Sequence, residues 1–99
     1  MNEKKFRPVH PGKILLKDFI KPLGITQASL ALFLNVPPRR INDIVLGKRR
    51  ISADTALRLG RYFSTSPQFW LGLQMDYDVH MARNRLGDSL KGEILLCAR

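Results

Sequence analysis

The segment Ile25–Ser52 constrains the fold of this chain more than any other part of its sequence. Two short runs with apolar residues at helical spacing flank a break at Asn35, Val36 and Pro37. Asparagine tolerates the left-handed backbone conformation that ends many helices, and proline suits the first turn of a helix. The pattern therefore predicts two short helices joined by a tight turn, with Val36 as the apolar plug of that turn.

Three further helices are predicted around this pair, which makes the expected fold all-α with five helices. The first begins near Pro11 and ends at Lys21, the fourth is capped by Ser52 and ends near Phe63, and the fifth begins at Ser66-Pro67 and ends near Arg83. Helical spacing predicts these inward residues: Ile14, Leu15, Phe19, Ala28, Leu30, Ala31, Leu34, Ile41, Ile44, Val45, Ala56, Leu57, Leu59, Gly60, Phe63, Phe69, Trp70, Leu73 and Tyr77.

The C-terminal end of the chain is predicted to lie outside the helical core. Residues 1–99 are expected to form one domain whose core lies in residues 10–84. The stretch 86–92 is rich in glycine, and Glu93–Cys97 is interpreted as a short β-strand. That strand pairs either with Phe6–Val9 or with a second subunit, so residues 85–99 are expected to contribute to a dimer contact.

The charge is distributed very unevenly along the chain. The formal net charge is +9; residues 36–61 hold seven Lys or Arg against two acids, while residues 62–99 hold four against four. A basic surface attracts phosphate and releases counterions on binding, which gives affinity without sequence preference. A solvated surface would explain the charge alone, but its coincidence with the paired short helices favours nucleic acid as the partner.

Several classes of function find no support in the sequence. A single cysteine, Cys97, excludes an internal disulfide, and neither His10 nor His80 has neighbours at metal-ligand spacing. No nucleophile elbow or glycine-rich phosphate loop is present, so we expect neither catalysis nor a cofactor. No apolar run approaches the roughly 18–20 residues of a membrane span, and no signal-peptide stretch follows the basic N-terminus, so a cytoplasmic protein is expected.

The second helix of the pair carries side chains that suit the major groove of DNA. Arg39 and Arg40 can each contact guanine O6 and N7, and Asp43 can accept a hydrogen bond from cytosine N4. Asn42 lies on the flank of the same helix, where a backbone phosphate is the nearer target. The two arginines are adjacent at the start of a short helix, where packing alone rarely requires them.

Other polar residues are predicted to contact the DNA backbone. Gln27 lies in the first turn of the preceding helix, whose N-terminus also favours phosphate. Lys48, Arg49 and Arg50 follow the recognition helix in a loop, where they are expected to clamp phosphates or reach toward the minor groove; simple exposed loop charge is the alternative. The predicted backbone set is Thr26, Gln27, Asn42, Lys48, Arg49 and Arg50.

This stretch resembles the Cro/C1-type, or XRE, helix-turn-helix family. The residues that carry the resemblance are Thr26-Gln27, Ala31, Leu34, Val36, Ile41 and Gly47-Lys48. Three further motifs are similar to the HigA antitoxin group, also labelled virulence-associated protein I. They are His10-Pro11-Gly12, the run from Gly47 to Leu59, and the run from Ser66 to Asp78 with its Phe69-Trp70-Leu71. The resemblance spans residues 9–79.

The resemblance implies a λ-repressor-like helix-turn-helix domain and a specific role. Proteins of that group form homodimers, repress their own operon at a palindromic double-stranded operator, and neutralise a RelE-like ribonuclease toxin. The resemblance assigns base reading to Pro38, Arg39, Arg40 and Asp43. This sequence departs from the group at Pro37-Pro38, which replaces a start containing Ser or Thr and so removes a hydroxyl contact and an amide donor.

Two alternatives remain open at this point. A stand-alone regulator of the same fold would lack a toxin partner, and a general RNA-binding protein would prefer RNA to an inverted repeat. The toxins of the group are usually basic, as this chain is. A contact between the two would therefore rely on apolar surface or on the acidic side chains of Asp76, Asp78, Asp88 and Glu93.

Overall fold

The computed structural model describes residues 8–98 and contains six helices there, with no β-strand in that range. None of these helices is both long enough and apolar enough to cross a membrane. The first, α1, consists of Pro11–Ile14, a π-helical stretch Leu15–Ile20, and Lys21–Leu23. The others are α2 (Gln27–Leu34), α3 (Pro38–Val45), α4 (Ala53–Phe63), α5 (Pro67–Leu86) and α6 (Ser89–Glu93).

The ends of the helices follow the local signals in the sequence. The hydroxyls of Thr26, Ser52 and Ser66 each accept a hydrogen bond from the backbone amide three residues later, at 3.0 to 3.2 Å. Asn35 ends α2 with φ of 58°, in the left-handed region. The predicted caps and the predicted turn are therefore confirmed, and together they fix where α3 begins.

All the longer helices contribute to one apolar core. Trp70 lies in it fully buried, with the ring of Phe19 4.8 Å away, and its Nε1 donates to the hydroxyl of Thr65 at 2.8 Å. The prediction that Trp70 belongs to the core is confirmed. The buried apolar residues are Leu15, Ile20, Leu30, Ala31, Leu34, Val36, Ile41, Ile44, Ile51, Ala56, Leu59 and Trp70.

A close contact between α1 and α3 sets the position of the recognition helix. A Cβ placed on Gly12 would lie 1.8 Å from the carbonyl oxygen of Ile44, so only glycine fits there. The Nδ1 atom of His10 accepts a hydrogen bond from the amide of Gly12 at 2.9 Å and so caps α1. The His10-Pro11-Gly12 motif thus allows the start of α1 to pack directly on the backbone of α3.

Three residues predicted to point inward do not do so. Ala28, Leu57 and Phe69 are all exposed, although Phe69 keeps its ring edge against Trp70 at 4.9 Å. Successive helical residues are rotated by about 100°. Ala28 is therefore turned roughly 200° from Leu30, and Leu57 is turned equally far from Leu59. Each lies at the edge of its buried stripe, about 60° from a single buried residue three positions later, so hydrophobicity was a poor guide at these two positions.

The predicted strand over Glu93–Cys97 is wrong. Glu93 is the last residue of α6, and residues 94–98 have no regular secondary structure. A strand needs a neighbouring edge, and no described segment offers one here. Residues 6 and 7 of the first suggested partner lie outside the described range. The segment after α6 is an apolar tail in which Leu95 and Leu96 are 91% and 94% exposed.

Candidate nucleic-acid interface

The turn between α2 and α3 brings two of the predicted backbone-contact residues together. The Nδ2 atom of Asn42 donates to the Oε1 atom of Gln27 at 3.2 Å, which joins the middle of α3 to the first turn of α2. Beneath them, Ile41 and Ile44 are fully buried. The apolar side of α3 thus faces the core, while its polar side and the N-terminus of α2 share one outer surface.

Arg39 has the most exposed side chain of the charged residues that are predicted to read bases. Its side chain is 86% exposed, and its Nε atom lies 3.4 Å from the Oδ2 atom of Asp43 one helical turn later. An exposed ion pair of this kind is worth little, because water already solvates both charges well. Arg39 can therefore leave Asp43 for a base edge at small cost, and the two side chains lie on one line along α3.

Arg40 has quite different surroundings from its neighbour. Its side chain is only 27% exposed, and its Nη1 atom lies 2.9 Å from the Oδ1 atom of Asp54 in the first turn of α4. The same oxygen accepts a hydrogen bond from the Nε atom of Arg58 at 2.8 Å. Hydrogen bonds from Arg58 and then Arg40 lower the pKa of Asp54. Arg40 therefore links α3 to α4.

The Asp54 cluster also ties α4 to the end of α2. The Nη1 atom of Arg58 donates to the backbone oxygen of Leu34 at 3.0 Å. Neither Asp54 nor Arg58 was singled out from the sequence. An acid in the first turn of a helix with an arginine four residues later was the signal, and it favours an ion pair on one helix face.

The three basic residues of the loop after α3 differ in whether they have an ion-pair partner. The backbone amides of Lys48 and Arg49 donate to the carbonyl oxygen of Asp43, at 2.8 and 3.2 Å. Their side chains are exposed and make no ion pair with the residues that the structure describes. Arg50, by contrast, forms an ion pair with Asp78 on α5.

A buried glutamine completes the attachment of this loop to α5. The Oε1 atom of Gln74 accepts a hydrogen bond from the amide of Ile51 at 2.8 Å, and its Nε2 atom donates to the Oδ1 atom of Asp78 at 3.0 Å. Gln74 is almost fully buried. Sequence reasoning missed it, yet a glutamine one helical turn after Trp70 lies on the inward stripe of α5, where an amide needs partners.

The remaining predicted residues lie at the helix starts. Pro38 occupies the first turn of α3 and is exposed, and Pro37 precedes it with no side-chain cap. The hydroxyl of Thr26 is already used in the capping box with Ser29. Thr26 can therefore offer phosphate little more than the helix end that it caps.

His10 serves the packing of the fold. Its ring meets the ring of Tyr77 edge-on at 4.9 Å between centroids. Burial lowers the pKa of His10, while the nearby carboxylate of Asp78 opposes that shift. No group of three potential metal ligands occurs within residues 8–98.

Comparison with known proteins identifies close relatives. Residues 16–70 match the helix-turn-helix family model HTH_3. The virulence-associated protein I of Dichelobacter nodosus is 51% identical over 74 residues, which cover 75% of this chain and 68% of that protein.

Two solved structures are also similar. The Pseudomonas aeruginosa antitoxin HigA with the higBA promoter is 46% identical with a TM-score of 0.88, over 93% of this chain and all of that one. The antitoxin GraA in complex with its operator is 36% identical with a TM-score of 0.89, over the whole of both chains.

Proposed function

The chain belongs to the XRE-type helix-turn-helix family, in its HigA-type antitoxin group, and on that premise we propose that it represses its own operon from a palindromic operator. The observation that carries the proposal is the outer surface of α3. There the exposed Arg39 shares α3 with Asn42, which bonds to Gln27 at the start of α2, and two loop cations without ion-pair partners among the described residues follow the helix. That arrangement suits a helix in the major groove flanked by phosphate contacts. A repressor must reach its DNA, so we also propose a cytoplasmic location for this protein.

The proposed contacts follow the surroundings of each side chain. Arg39 and Asp43 read base edges, and Pro38 lies at the floor of the DNA major groove. Arg40 reads a base only by leaving Asp54, so its main contribution is to hold α3 at a fixed angle. The backbone contacts are those expected from the sequence: Thr26, Gln27, Asn42, Lys48, Arg49 and Arg50. Of these, Arg50 is held by Asp78 and reaches a phosphate only when that ion pair opens.

A palindromic operator calls for a two-fold symmetric protein, and we propose that α5 forms its dimer contact. An exposed or half-exposed stripe of Met75, Val79, Ala82 and Leu86 follows spacings of four, three and four residues. These are the spacings by which one helix packs along another. The stripe lies in the half of the helix beyond Gln74, which leaves it free for a second copy.

Charge favours an antiparallel pairing of the two α5 helices. The acidic residues Asp76 and Asp78 precede the centre of the stripe, and the basic residues Arg83 and Arg85 follow it. An antiparallel copy centred between residues 80 and 81 brings Asp76 near the partner's Arg83 and Asp78 near the partner's Arg85. In a parallel copy the acidic residues of both helices would lie at one level, and the basic residues at another.

The proposal extends to neutralisation of a RelE-like ribonuclease toxin. It is supported by the likeness to an antitoxin named HigA and by the neutral charge of residues 62–99, away from the basic surface of α3. Coexpression with the neighbouring toxin gene should restore growth and yield a stable complex. If no such gene exists, or if growth is not restored, the chain is a stand-alone repressor of the same fold.

Footprinting on the DNA upstream of the chain's own gene tests the DNA-binding half of the proposal. We expect protection of an inverted repeat and no preference for RNA. Arg39→Ala should cost roughly 1–3 kcal/mol and relax base preference, whereas Lys48→Ala should weaken binding to all DNA and reduce the salt dependence by about one phosphate. Lys91→Ala, in the neutral part of the chain, is the control. Unchanged operator affinity in Arg39→Ala would refute the assignment of α3.

Sedimentation equilibrium tests the dimer contact with a matched pair of variants. Val79 and Met81 are 42% and 43% exposed, but only Val79 lies on the stripe. Val79→Asp should dissociate the dimer and weaken operator binding, while Met81→Asp should do neither. Equal behaviour of the two variants would exclude this face of α5.

A further inference from the structure

An apolar groove lies between α2 and α4. It has a volume of about 490 Å³ and is lined by Phe33, Leu34, Leu57, Arg58, Arg61 and Tyr62. The rings of Phe33 and Tyr62 stack at 5.3 Å between centroids and form one wall. Both rings, together with Leu57, are exposed. A groove with this much apolar surface in water is typical of a contact site.

The rim of the groove specifies the charge of its occupant. Arg58 is already paired with Asp54, but Arg61 makes no ion pair within residues 8–98. Both arginines border the apolar floor. The complementary segment therefore carries a carboxylate next to apolar side chains.

The chain itself contains such a segment, at its C-terminal end. Glu93 ends α6 and is followed by Ile94, Leu95 and Leu96, all exposed. In the described part of the chain, Glu93 has no cationic partner. The tail and the groove are thus complementary in charge and in hydrophobicity, and neither is covered by its own molecule.

The proposed dimer brings the tail of one copy close to the groove of the other. In the antiparallel pairing, Leu86 lies opposite the partner's Met75, and the chain leaves α5 toward the start of the partner's α5. That helix start is joined to the end of α4 by residues 64–66, next to Tyr62. The five residues of α6 and the tail beyond them can extend on the order of 20 Å from the end of α5 toward the second copy.

We propose that the Glu93–Leu96 tail of one copy docks in the groove between α2 and α4 of a second copy, with Glu93 at the Arg61 rim. The inference rests on the dimer of the proposed function and adds a second contact to that dimer. Each dimer then contains two such exchanged tails, which bury the Phe33–Tyr62 wall on both subunits.

Tail docking is compatible with DNA binding. Phe33 lies six residues after Gln27, or about 9 Å along α2, and Tyr62 lies eight residues after Asp54, or about 12 Å along α4. Gln27 and Asp54 are the groups nearest the reading surface of α3, since they bond to Asn42 and Arg40. The Phe33–Tyr62 wall of the groove is therefore at the opposite ends of both helices, while Leu57 and Arg58 line the groove from the middle of α4.

The natural Cys97, directly after the tail, allows a crosslinking test. Leu57→Cys in a chain that also carries Cys97→Ser is mixed with the unaltered chain and oxidised with glutathione disulfide. Leu23→Cys in the same background is the matched control, because Leu57 and Leu23 are 61% and 58% exposed and only Leu57 lines the groove. We expect the 57–97 disulfide between chains to form at least about tenfold faster than the 23–97 disulfide, since docking raises the local thiol concentration.

The crosslinking and sedimentation results distinguish a failure of tail docking from a failure of the proposed dimer. Equal crosslinking rates, with a dimer still present by sedimentation, overturn tail docking and leave the groove to another protein partner. A chain with Leu57→Cys and the natural Cys97 that forms only an intrachain disulfide also overturns it, since the tail then folds back on its own groove. A monomer under the same conditions refutes the proposed dimer itself.

A second measurement does not depend on disulfide geometry. Leu95→Asp with Leu96→Asp leaves the folded core untouched because both side chains are exposed. The double variant should weaken dimerisation at least about tenfold, as should Arg61→Glu at the rim. A dimer dissociation constant that neither variant changes would overturn the proposal.

Discussion

The helix-turn-helix pair and the C-terminal part of the chain use their apolar side chains in opposite ways. In α2 and α3, eight residues each, the buried stripes face one core and the charges face solvent. Beyond Gln74, α5 and the tail turn Met75, Val79 and Leu95 toward solvent. Helices as short as α2 and α3 are stable only when packed, and both pack on the core of their own copy. The second region instead leaves an apolar stripe and an apolar tail exposed for the proposed dimer.

The two regions are joined where α5 contacts the loop that follows the recognition helix. Gln74 and Asp78 on α5 hold the loop that follows the recognition helix, through Ile51 and Arg50. The position of the loop cations therefore depends on α5. Changes at this junction should affect DNA binding, whereas changes farther along α5 should affect assembly.

The largest effect is expected from a pair of glycine substitutions, one in α1 where it packs on the recognition helix and one in α5. Gly12→Ala places a Cβ against the backbone of Ile44, which cannot move without displacing α3, and should cost about 3 kcal/mol or more. Gly72→Ala meets no atom within 4 Å and should stabilise α5 by up to about 1 kcal/mol. Thermal unfolding of both variants measures the contrast. Similar melting temperatures would show that the α1–α3 contact is not as tight as described.

Removal of the buried amide at the junction should have the next largest effect. Gln74→Leu leaves the Ile51 amide buried without an acceptor, at a cost of about 1–3 kcal/mol in the free energy of unfolding. Gln68→Leu, on the exposed side of the same helix, should change little. Urea denaturation gives both values. A Gln74→Leu protein as stable as the unaltered chain would mean that the amide finds another partner.

Release of a loop cation should alter DNA binding modestly. Asp78→Asn removes the ion-pair partner of Arg50 while keeping an oxygen for Gln74, so Arg50 becomes available to phosphate. Affinity for non-specific DNA should rise, and the salt dependence should steepen by about one phosphate contact. Asp76→Asn removes the same charge from the same helix without freeing Arg50. If both variants change the slope equally, only net charge is involved.

The smallest effect is expected from His10. Because burial lowers its pKa in the folded chain, the unfolded chain takes up the proton first, and stability is lost as the pH falls from about 6.5 through the lowered pKa. Protonation also removes the acceptor for the Gly12 amide. His10→Asn can still cap the helix but does not titrate, so its melting temperature should fall less between pH 7 and pH 5. His80 is common to both proteins and does not contribute to the difference.

Most of the fold could be predicted because its signals are local. Caps such as Ser52 and Ser66, the turn at Asn35 and the core position of Trp70 are each readable within a few residues. The prediction that Glu93–Cys97 forms a strand was wrong because a strand depends on a distant edge. Hydrophobicity likewise misassigned Leu57, since its helical angle places it outside the core.

The candidate site was only partly predictable for a related reason. The exposed position of Arg39 follows from α3 alone, and its base-reading role stays a prediction. The pairing of Arg40 with Asp54, and of Arg50 with Asp78, joins residues 14 and 28 positions apart. No local pattern reports which of several similar arginines meets a distant carboxylate. Tertiary structure therefore distinguishes cations that the sequence presents as equivalent.

The two prolines at the start of α3 have a consequence for the speed and cost of recognition. Their rings fix two successive φ angles in the unbound chain, so the entrance to the recognition helix has little conformational entropy left to lose. Neither proline has an amide hydrogen to offer a phosphate. The chain thus replaces a hydrogen-bonding helix start with a rigid one, and its encounter with DNA should resemble the docking of a preformed surface.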